Sequence, residues 1–295
     1  MANSGWLPFP ADGWDETYAT LHLWTQVVGK VALATAPPLN HCWGSALHLT
    51  ARGLTTGLLA REQRTFTIEF DFIDHQLVVA ASDGARRTLG LQPRSVAAFY
   101  RAVMDLLADM GLPVKIWPVA VELPEPIRLD RDTTHQAYAP AAVTAFWRLL
   151  LEIERVLTAS RCRFIGKASP SNFFWGSFDL ALTRFSGRPA PPRDGPAFMR
   201  EAYSHEVISH GFWPGSGAVP EPAFYAYAVP EPAGFKETRV RPGEAAYHAE
   251  MGEFILPYAA VLASGSPERV VAEFIDSTYT AAATLAGWDR RALER

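Results

Sequence analysis

The sequence predicts an α+β fold made of two related halves, each running helix, antiparallel strands, helix. Three observations support this prediction. The segment APPLNHCWGS (36–45) recurs as ASPSNFFWGS at 168–177, at a constant offset of 132 positions. A helical hydrophobic pattern precedes each copy, and strand patterns follow in groups instead of alternating with helices. We therefore expect an internal duplication whose halves are related by a pseudo-two-fold axis.

Helix patterns mark the start of both halves. Trp14, Tyr18, Leu21 and Val28 recur at helical spacing, and Gly29 suggests a break near the end of this first helix. At the same offset, an apolar stripe runs from residue 143 to residue 157, and a proline at position 140 suits its first turn. Each half is thus expected to open with an amphipathic helix.

Strand patterns follow in the first half. RTFTIEFDFI (64–73) alternates apolar and polar residues, which predicts a half-buried strand. Asp74 and His75 mark a hairpin turn into QLVVAAS, and a helix is expected to begin at Pro93. In the second half, GEFILPYAAV and the helix pattern that begins at Pro267 are the counterparts.

The spacing between the halves predicts an insertion. Pro93 and Pro267 are 174 positions apart rather than 132, which leaves 42 extra residues in the second half. We place the first half at 1–123, a proline-rich and charged linker at 124–137, and the second half at 138–295 with the insertion at about 185–230. This insertion could form a lid over a ligand, or it could only cover the edge of a sheet.

Composition limits the possible partners and location. The 295 residues carry a net charge of -4 with no basic run, so neither nucleic acid nor a membrane is an expected partner. Cys42 and Cys162 form no metal-binding CxxC pattern, and the N-terminus lacks the pattern of a secretory signal, so we expect a cytoplasmic protein. No nucleotide-binding motif is present, and the sequence names no cofactor.

Several long motifs resemble a bacterial family that is catalogued as a domain of unknown function. These motifs are LHLWTQVVGK, TARGLTT, FDFIDH, FFWGSFDLALTRFSGR and SHEVISHGFWPG, and the resemblance covers nearly the whole chain. It implies a soluble bacterial protein, but it implies no activity and no substrate.

The segment SHEVISH carries the first candidate catalytic residues. His205 and His210 are five positions apart and would lie about 140° apart around a helix, which excludes the HExxH zinc motif. Glu206 and His210 could share one face of a helix. We consider His205 and Glu206 as acid–base groups or as metal ligands together with Asp179, and no particular metal is indicated. Alternatively, Glu206 and His210 form a surface pair.

The repeated segment supplies the next candidates. Alternation along a predicted strand from Trp175 to Arg184 places Asp179 in a buried position, where a carboxyl group must be paired or shifted in pKa. Catalysis and a structural salt bridge explain such a residue equally well. Arg184 recurs as Arg52 in the first copy, and both arginines could bind an anion or only backbone carbonyls. For Arg52 we expect the backbone carbonyls.

Aromatic residues form the third set of candidates. Trp175, Trp213, Tyr225 and Tyr227 could form the wall of an organic ligand site together with Arg184, although a large sheet also needs aromatic pairs for packing. The expected function is that of an enzyme acting on a small organic molecule, and anionic molecules are among the candidates. The alternative is a non-catalytic binding or assembly protein. Neither the reaction nor the oligomeric state follows from the sequence.

Overall fold

The computed structural model describes residues 5–10 and 12–295. The prediction that the N-terminus carries no secretory signal therefore falls partly outside the described residues. The chain divides into two compact units. The first unit comprises Phe9–Arg148 and Phe173–Phe178. The second unit comprises Leu149–Asn172, Asp179–Arg295 and residues 5–8.

The helices and strands are numbered in chain order. The helices are α1 (Trp14–Thr35), α2 (Val96–Asp109), α3 (Pro140–Arg161), α4 (Ala197–Ala202), α5 (Tyr258–Ala263), α6 (Pro267–Leu285) and α7 (Arg290–Leu293). The strands are β1 (His48–Leu49), β2 (Gly53–Thr55), β3 (Leu59–Arg61), β4 (Arg64–Asp71), β5 (Gln76–Ala81), β6 (Arg86–Gly90), β7 (Asn172–Phe174), β8 (Asp179–Pro189), β9 (His205–Trp213), β10 (Ala223–Val229), β11 (Ala246–His248) and β12 (Glu253–Pro257).

An antiparallel sheet and two helices build the core of the first unit. The strands follow the order β1-β2-β4-β5-β6, and β3 pairs with β4. The predicted alternation in β4 is confirmed, because Phe66, Ile68 and Phe70 are fully buried. On α1, the ring of Trp24 stacks on Phe99 of α2 at 4.5 Å between ring centroids. Burial of such a large side chain stabilises the fold by about 2–3 kcal/mol.

Gly29 does not end α1, as the sequence pattern suggested. The helix continues to Thr35, and Gly29 lies against the indole of Trp175. A Cβ atom at position 29 would overlap that ring. Glycine is therefore required here for close packing and not for a break in the helix.

The two copies of the repeated segment have different conformations. Asn40–Ser45 forms a short 3-10 helix, whereas Trp175–Phe178 forms a turn between β7 and β8. The prediction of a strand that begins at Trp175 is therefore wrong for its first four residues. The strand itself begins at Asp179.

The second unit contains a five-stranded antiparallel arrangement in the order β11-β12-β10-β9-β8. Helix α6 packs against β9 and β10. Residues 205–229 of the predicted insertion supply β9 and β10, which lie inside this sheet. SHEVISHGFW is a strand, so the expected helix with Glu206 and His210 on one face is wrong. Val207, Ile208 and Phe212 are buried, as expected for a strand that is covered on both faces.

The structure confirms the α+β class, because each unit combines helices with an antiparallel sheet. The internal duplication and the boundaries of the two halves remain predictions. None of the described helices combines the length and the apolar character that crossing a membrane requires.

Candidate functional site

The face of the second sheet that is opposite α6 carries a row of polar side chains. In the register of the strands, Thr183 of β8 pairs with Ser209 of β9, and Ser209 pairs with Tyr227 of β10. Glu253 lies next to Tyr227 on this face, because the following residue of β12 pairs with Ala226. The hydroxyl groups of Thr183 and Ser209 are 3.0 Å apart and share a hydrogen bond.

A glycine allows Tyr225 to lie across β9 on the same face. Tyr225 pairs with Gly211, and a Cβ atom there would overlap the phenol ring. The Tyr225 hydroxyl donates a hydrogen bond to Asp179 on β8. Burial raises the pKa of Tyr225 well above its ordinary value, and the charge of Asp179 adds to this effect. The phenol therefore stays protonated and remains a hydrogen-bond donor.

A cavity of about 500 Å³ opens at one end of this face. Three segments line it: the chain that follows β8, the end of β10, and the chain that enters β12. The lining includes the side chains of Arg193, Met199, Tyr203, Tyr227, Met251 and Glu253. The volume is within the range of cavities that accept small organic molecules.

Glu253 is a half-buried carboxyl group that lines this cavity. Burial raises its pKa to about 7, and the nearby charge of Asp179 acts in the same direction. A carboxyl group with a pKa close to neutrality can both donate and accept a proton under ordinary conditions. Within the described part of the chain, no side chain or backbone group forms a hydrogen bond or an ion pair with the Glu253 carboxyl.

Two tyrosines form an aromatic wall of the cavity. The hydroxyl groups of Tyr227 and Tyr203 are 3.1 Å apart and share a hydrogen bond. Tyr227 also stacks on Tyr225, with 5.9 Å between the ring centroids. The guanidinium of Arg193 lies 4.7 Å from the centroid of the Tyr203 ring. Burial raises the pKa of both cavity tyrosines, so they are neutral donors.

Arg184 lies on the opposite face of the sheet from Asp179. Its guanidinium donates to the Ser160 hydroxyl at 2.6 Å and lies 4.8 Å from the centroid of the Tyr279 ring. Burial lowers the pKa of Arg184 to about 10. On the same face, His210 is 3.0 Å from the Thr278 hydroxyl, and burial lowers the pKa of His210 well below its ordinary value. These residues belong to the packing between the sheet and its helices.

The other predicted catalytic residues do not join Asp179. Glu206 accepts a hydrogen bond from Arg188 at 2.7 Å, and it lies on the Arg184 face of β9. His205 begins β9, and its Nδ1 is 3.1 Å from the Ser204 hydroxyl. The structure thus separates His205 and Glu206 from Asp179, with which they were expected to act. Within residues 5–10 and 12–295, no three metal-ligating side chains converge.

Two of the predicted aromatic residues are not among those that line the cavity. Trp175 belongs to the first unit, where its indole N–H donates to the Ser45 carbonyl at 2.8 Å and its ring lies 5.4 Å from the Lys30 ammonium. Trp213 ends β9 opposite Ala223 and does not line the cavity. Arg52, expected to bind backbone carbonyls, instead forms ion pairs with two aspartates.

The sequence singled out Asp179 as a catalytic candidate and Tyr225 and Tyr227 as ligand-binding candidates, and the structure places these three side chains on one face of the sheet. It missed Glu253 and Tyr203. A sequence signal did exist for Glu253, because GEFILP places a carboxylate at the start of an otherwise apolar strand. Tyr203 gave no such signal, since it follows α4 in a segment that reads as an irregular loop.

Comparison with known proteins places the chain without assigning an activity. The chain belongs to a family of unknown function, DUF5996, which matches residues 6–295. The resemblance noted from the sequence motifs is confirmed at the level of a family of unknown function. No curated protein and no solved structure matches the chain.

Proposed function

We propose that the cavity beside Glu253 binds a small organic molecule and that Glu253 transfers a proton to or from it. The observation that carries this proposal is the carboxyl group itself, which is half-buried, has a pKa of about 7 and faces a cavity of about 500 Å³. A protein interior normally pairs such a group. A ligand that supplies the missing partner accounts for its position.

In this proposal each side chain has a defined task. Glu253 exchanges the proton, and the Tyr203–Tyr227 pair donates a hydrogen bond to a polar atom of the ligand. Asp179 and Tyr225 act as positioning residues, because their hydrogen bond fixes the ring on which Tyr227 stacks. Met199 and Met251 provide apolar surface. Glu253 takes the acid–base role that the sequence had suggested for His205 and Glu206.

A fragment screen by ligand-observed NMR tests the proposal. Wild-type protein and Glu253→Gln are screened against a library of small aromatic acids, amines and alcohols, with Glu250→Gln as the control at an exposed neighbouring position. We expect the wild type and the control to share a set of bound fragments that weaken or disappear in Glu253→Gln. Binding that is identical in all three proteins would refute the site.

The same spectra, followed over time, separate an enzyme from a binding protein. Consumption of a bound fragment by the wild type and not by Glu253→Gln supports proton transfer in a reaction. Fragments that are bound and recovered unchanged support the alternative of a non-catalytic small-molecule-binding protein.

We further infer that the protein works in the bacterial cytoplasm. With only two cysteines, Cys42 and Cys162, the sequence offers no disulfide framework, which is consistent with a reducing compartment, and the family motifs suggest a bacterial source. Labelling of both thiols in freshly lysed cells, without prior reduction, would support this assignment.

A further inference from the structure

The charges around the cavity indicate which class of molecule it accepts. Among the described residues that line it, the carboxyl groups of Glu231 and Glu253 outnumber the single guanidinium of Arg193. A third carboxyl, that of Asp179, is close enough to raise the pKa of Glu253. The electrostatic environment of Glu253 is therefore negative.

The three charged lining residues differ in how freely they can meet a ligand. Glu231 is exposed and already accepts a hydrogen bond from the Tyr247 hydroxyl. Arg193 is also exposed, so solvent screens its charge. Glu253 is half-buried and has no partner within the described residues. A charged ligand group would thus interact most strongly with Glu253.

The rings near Glu253 favour the same kind of ligand. Tyr203 and Tyr227 line the cavity as an aromatic pair whose centroids are 6.2 Å apart. Aromatic faces attract cations that come within about 6 Å of the ring centroid, as the guanidinium of Arg193 does at 4.7 Å from the centroid of the Tyr203 ring. The methionine and proline side chains of the lining can accept an apolar body attached to such a cation.

We infer that the ligand is an organic amine, in which a primary ammonium group binds Glu253 and an aromatic or aliphatic body lies between the tyrosines and the methionines. This inference rests on the proposed function, because it assigns the ligand class of the same cavity. The ammonium supplies three hydrogen-bond donors to a carboxylate that lacks one. Binding also removes the cost of holding that carboxylate ionised inside the protein.

Three probes that share one ring test the ligand class. Benzylamine, benzoate and benzyl alcohol are titrated into the full chain at about pH 5.5 and about pH 8.5, on either side of the Glu253 pKa of about 7. Benzylamine stays protonated in this range. If only ionised Glu253 binds it, its affinity should rise about 30-fold from the lower to the higher pH. Benzoate should bind more weakly at the higher pH, and benzyl alcohol should show little dependence.

Two variants make the result specific to the cavity. In Glu253→Gln the pH dependence of benzylamine binding should disappear and the affinity at the higher pH should fall at least tenfold, or about 1.4 kcal/mol. In Glu250→Gln both properties should match the wild type.

Each other outcome overturns a different statement. If benzoate binds more tightly than benzylamine at both pH values, and its affinity still depends on Glu253, the assignment of an amine ligand is wrong. The proposed binding site beside Glu253 is then still supported. Benzylamine binding that is equal in wild type and Glu253→Gln also refutes the inference, since the amine then binds elsewhere. If the fragment screen finds no ligand that depends on Glu253, the proposed function fails together with the inference.

Discussion

Replacing Glu253 by glutamine should stabilise the protein, by an amount that grows with pH. The carboxyl has an ordinary pKa of 4.5 in the unfolded chain and a pKa of about 7 in the folded protein. Between these values the unfolded chain releases the proton while the folded protein keeps it. The free energy of unfolding of the wild type therefore falls as the pH rises from about 4.5 to about 7, and the loss is complete above this range.

The size of the effect follows from the shift in pKa. A change from 4.5 to about 7 corresponds to about 3 kcal/mol at about 1.4 kcal/mol per pKa unit. This figure is an upper value, because Glu253 is only half-buried and solvent reduces the penalty. Glutamine has nearly the same shape and no charge at any pH. We expect no difference in stability near pH 4.5 and a more stable variant, by up to about 3 kcal/mol, above about pH 7.5.

Urea denaturation of the wild type and Glu253→Gln at several pH values measures this difference. Glu250→Gln serves as the control, and its stability relative to the wild type should not vary with pH in this way. A difference for Glu253→Gln that is independent of pH, or a variant that is less stable above neutral pH, would refute the reasoning about the buried carboxyl.

Three further substitutions test contacts inside the first unit or inside the second unit. Gly211→Ala should destabilise the protein by about 2–4 kcal/mol, because the added methyl overlaps the buried Tyr225 ring. Urea denaturation measures the loss, and a change below about 0.5 kcal/mol would contradict this expectation. Trp175→Phe loses the hydrogen bond to the Ser45 carbonyl, so thermal denaturation should show a loss of about 1–3 kcal/mol, and an unchanged Tm would argue against that bond. Arg184→Met should lower the free energy of unfolding by less than about 1 kcal/mol or should raise it, since burial penalises the charge of the guanidinium. A loss of several kcal/mol would show instead that the guanidinium is strongly stabilising.

The regular elements with a clear period could be predicted from the sequence. The strand β4, the turn after it and the helices α2, α3 and α6 all lie where the hydrophobic patterns placed them. In each case one face is buried and the other is not, so the period of the apolar residues records the geometry. The start of α3 at Pro140 likewise follows from the missing N–H of proline, which a first helical turn does not need.

The segments that are covered on both faces could not be predicted in the same way. In β9, buried residues follow one another without alternation from Val207 to Phe212, so the segment shows neither the period of a strand nor that of a helix. The spacing of Glu206 and His210 then suggested a helix, although the two side chains bind separate partners. The conformations of the two Trp-Gly-Ser segments depend on distant contacts, such as that between Trp175 and Gly29, which local sequence does not encode.

The candidate site was only partly predictable, for a related physical reason. Asp179 and Tyr225 come from two strands that are not neighbours, and the Tyr225 ring reaches Asp179 because Gly211 lacks a side chain on the strand between them. Tyr227 joins them by stacking on Tyr225. Sequence alone does not show which strand lies between two others. Predicting the contact between Asp179 and Tyr225 therefore requires the register of the sheet. Predicting a role for Glu253 requires knowledge of the cavity that β12 helps to form.

The polar groups on this face of the sheet are paired with one exception, which is the strongest argument for a ligand. The hydroxyls of Thr183 and Ser209 bind each other, Tyr225 binds Asp179, and other tyrosines pair at the cavity wall. Glu253 has no such partner among the residues that the structure describes, at a cost of up to about 3 kcal/mol near neutral pH. A glutamine or an apolar residue at this position would avoid the penalty. Local departures of this kind are found at sites where binding or catalysis uses the unpaired group, so function explains Glu253 better than folding does.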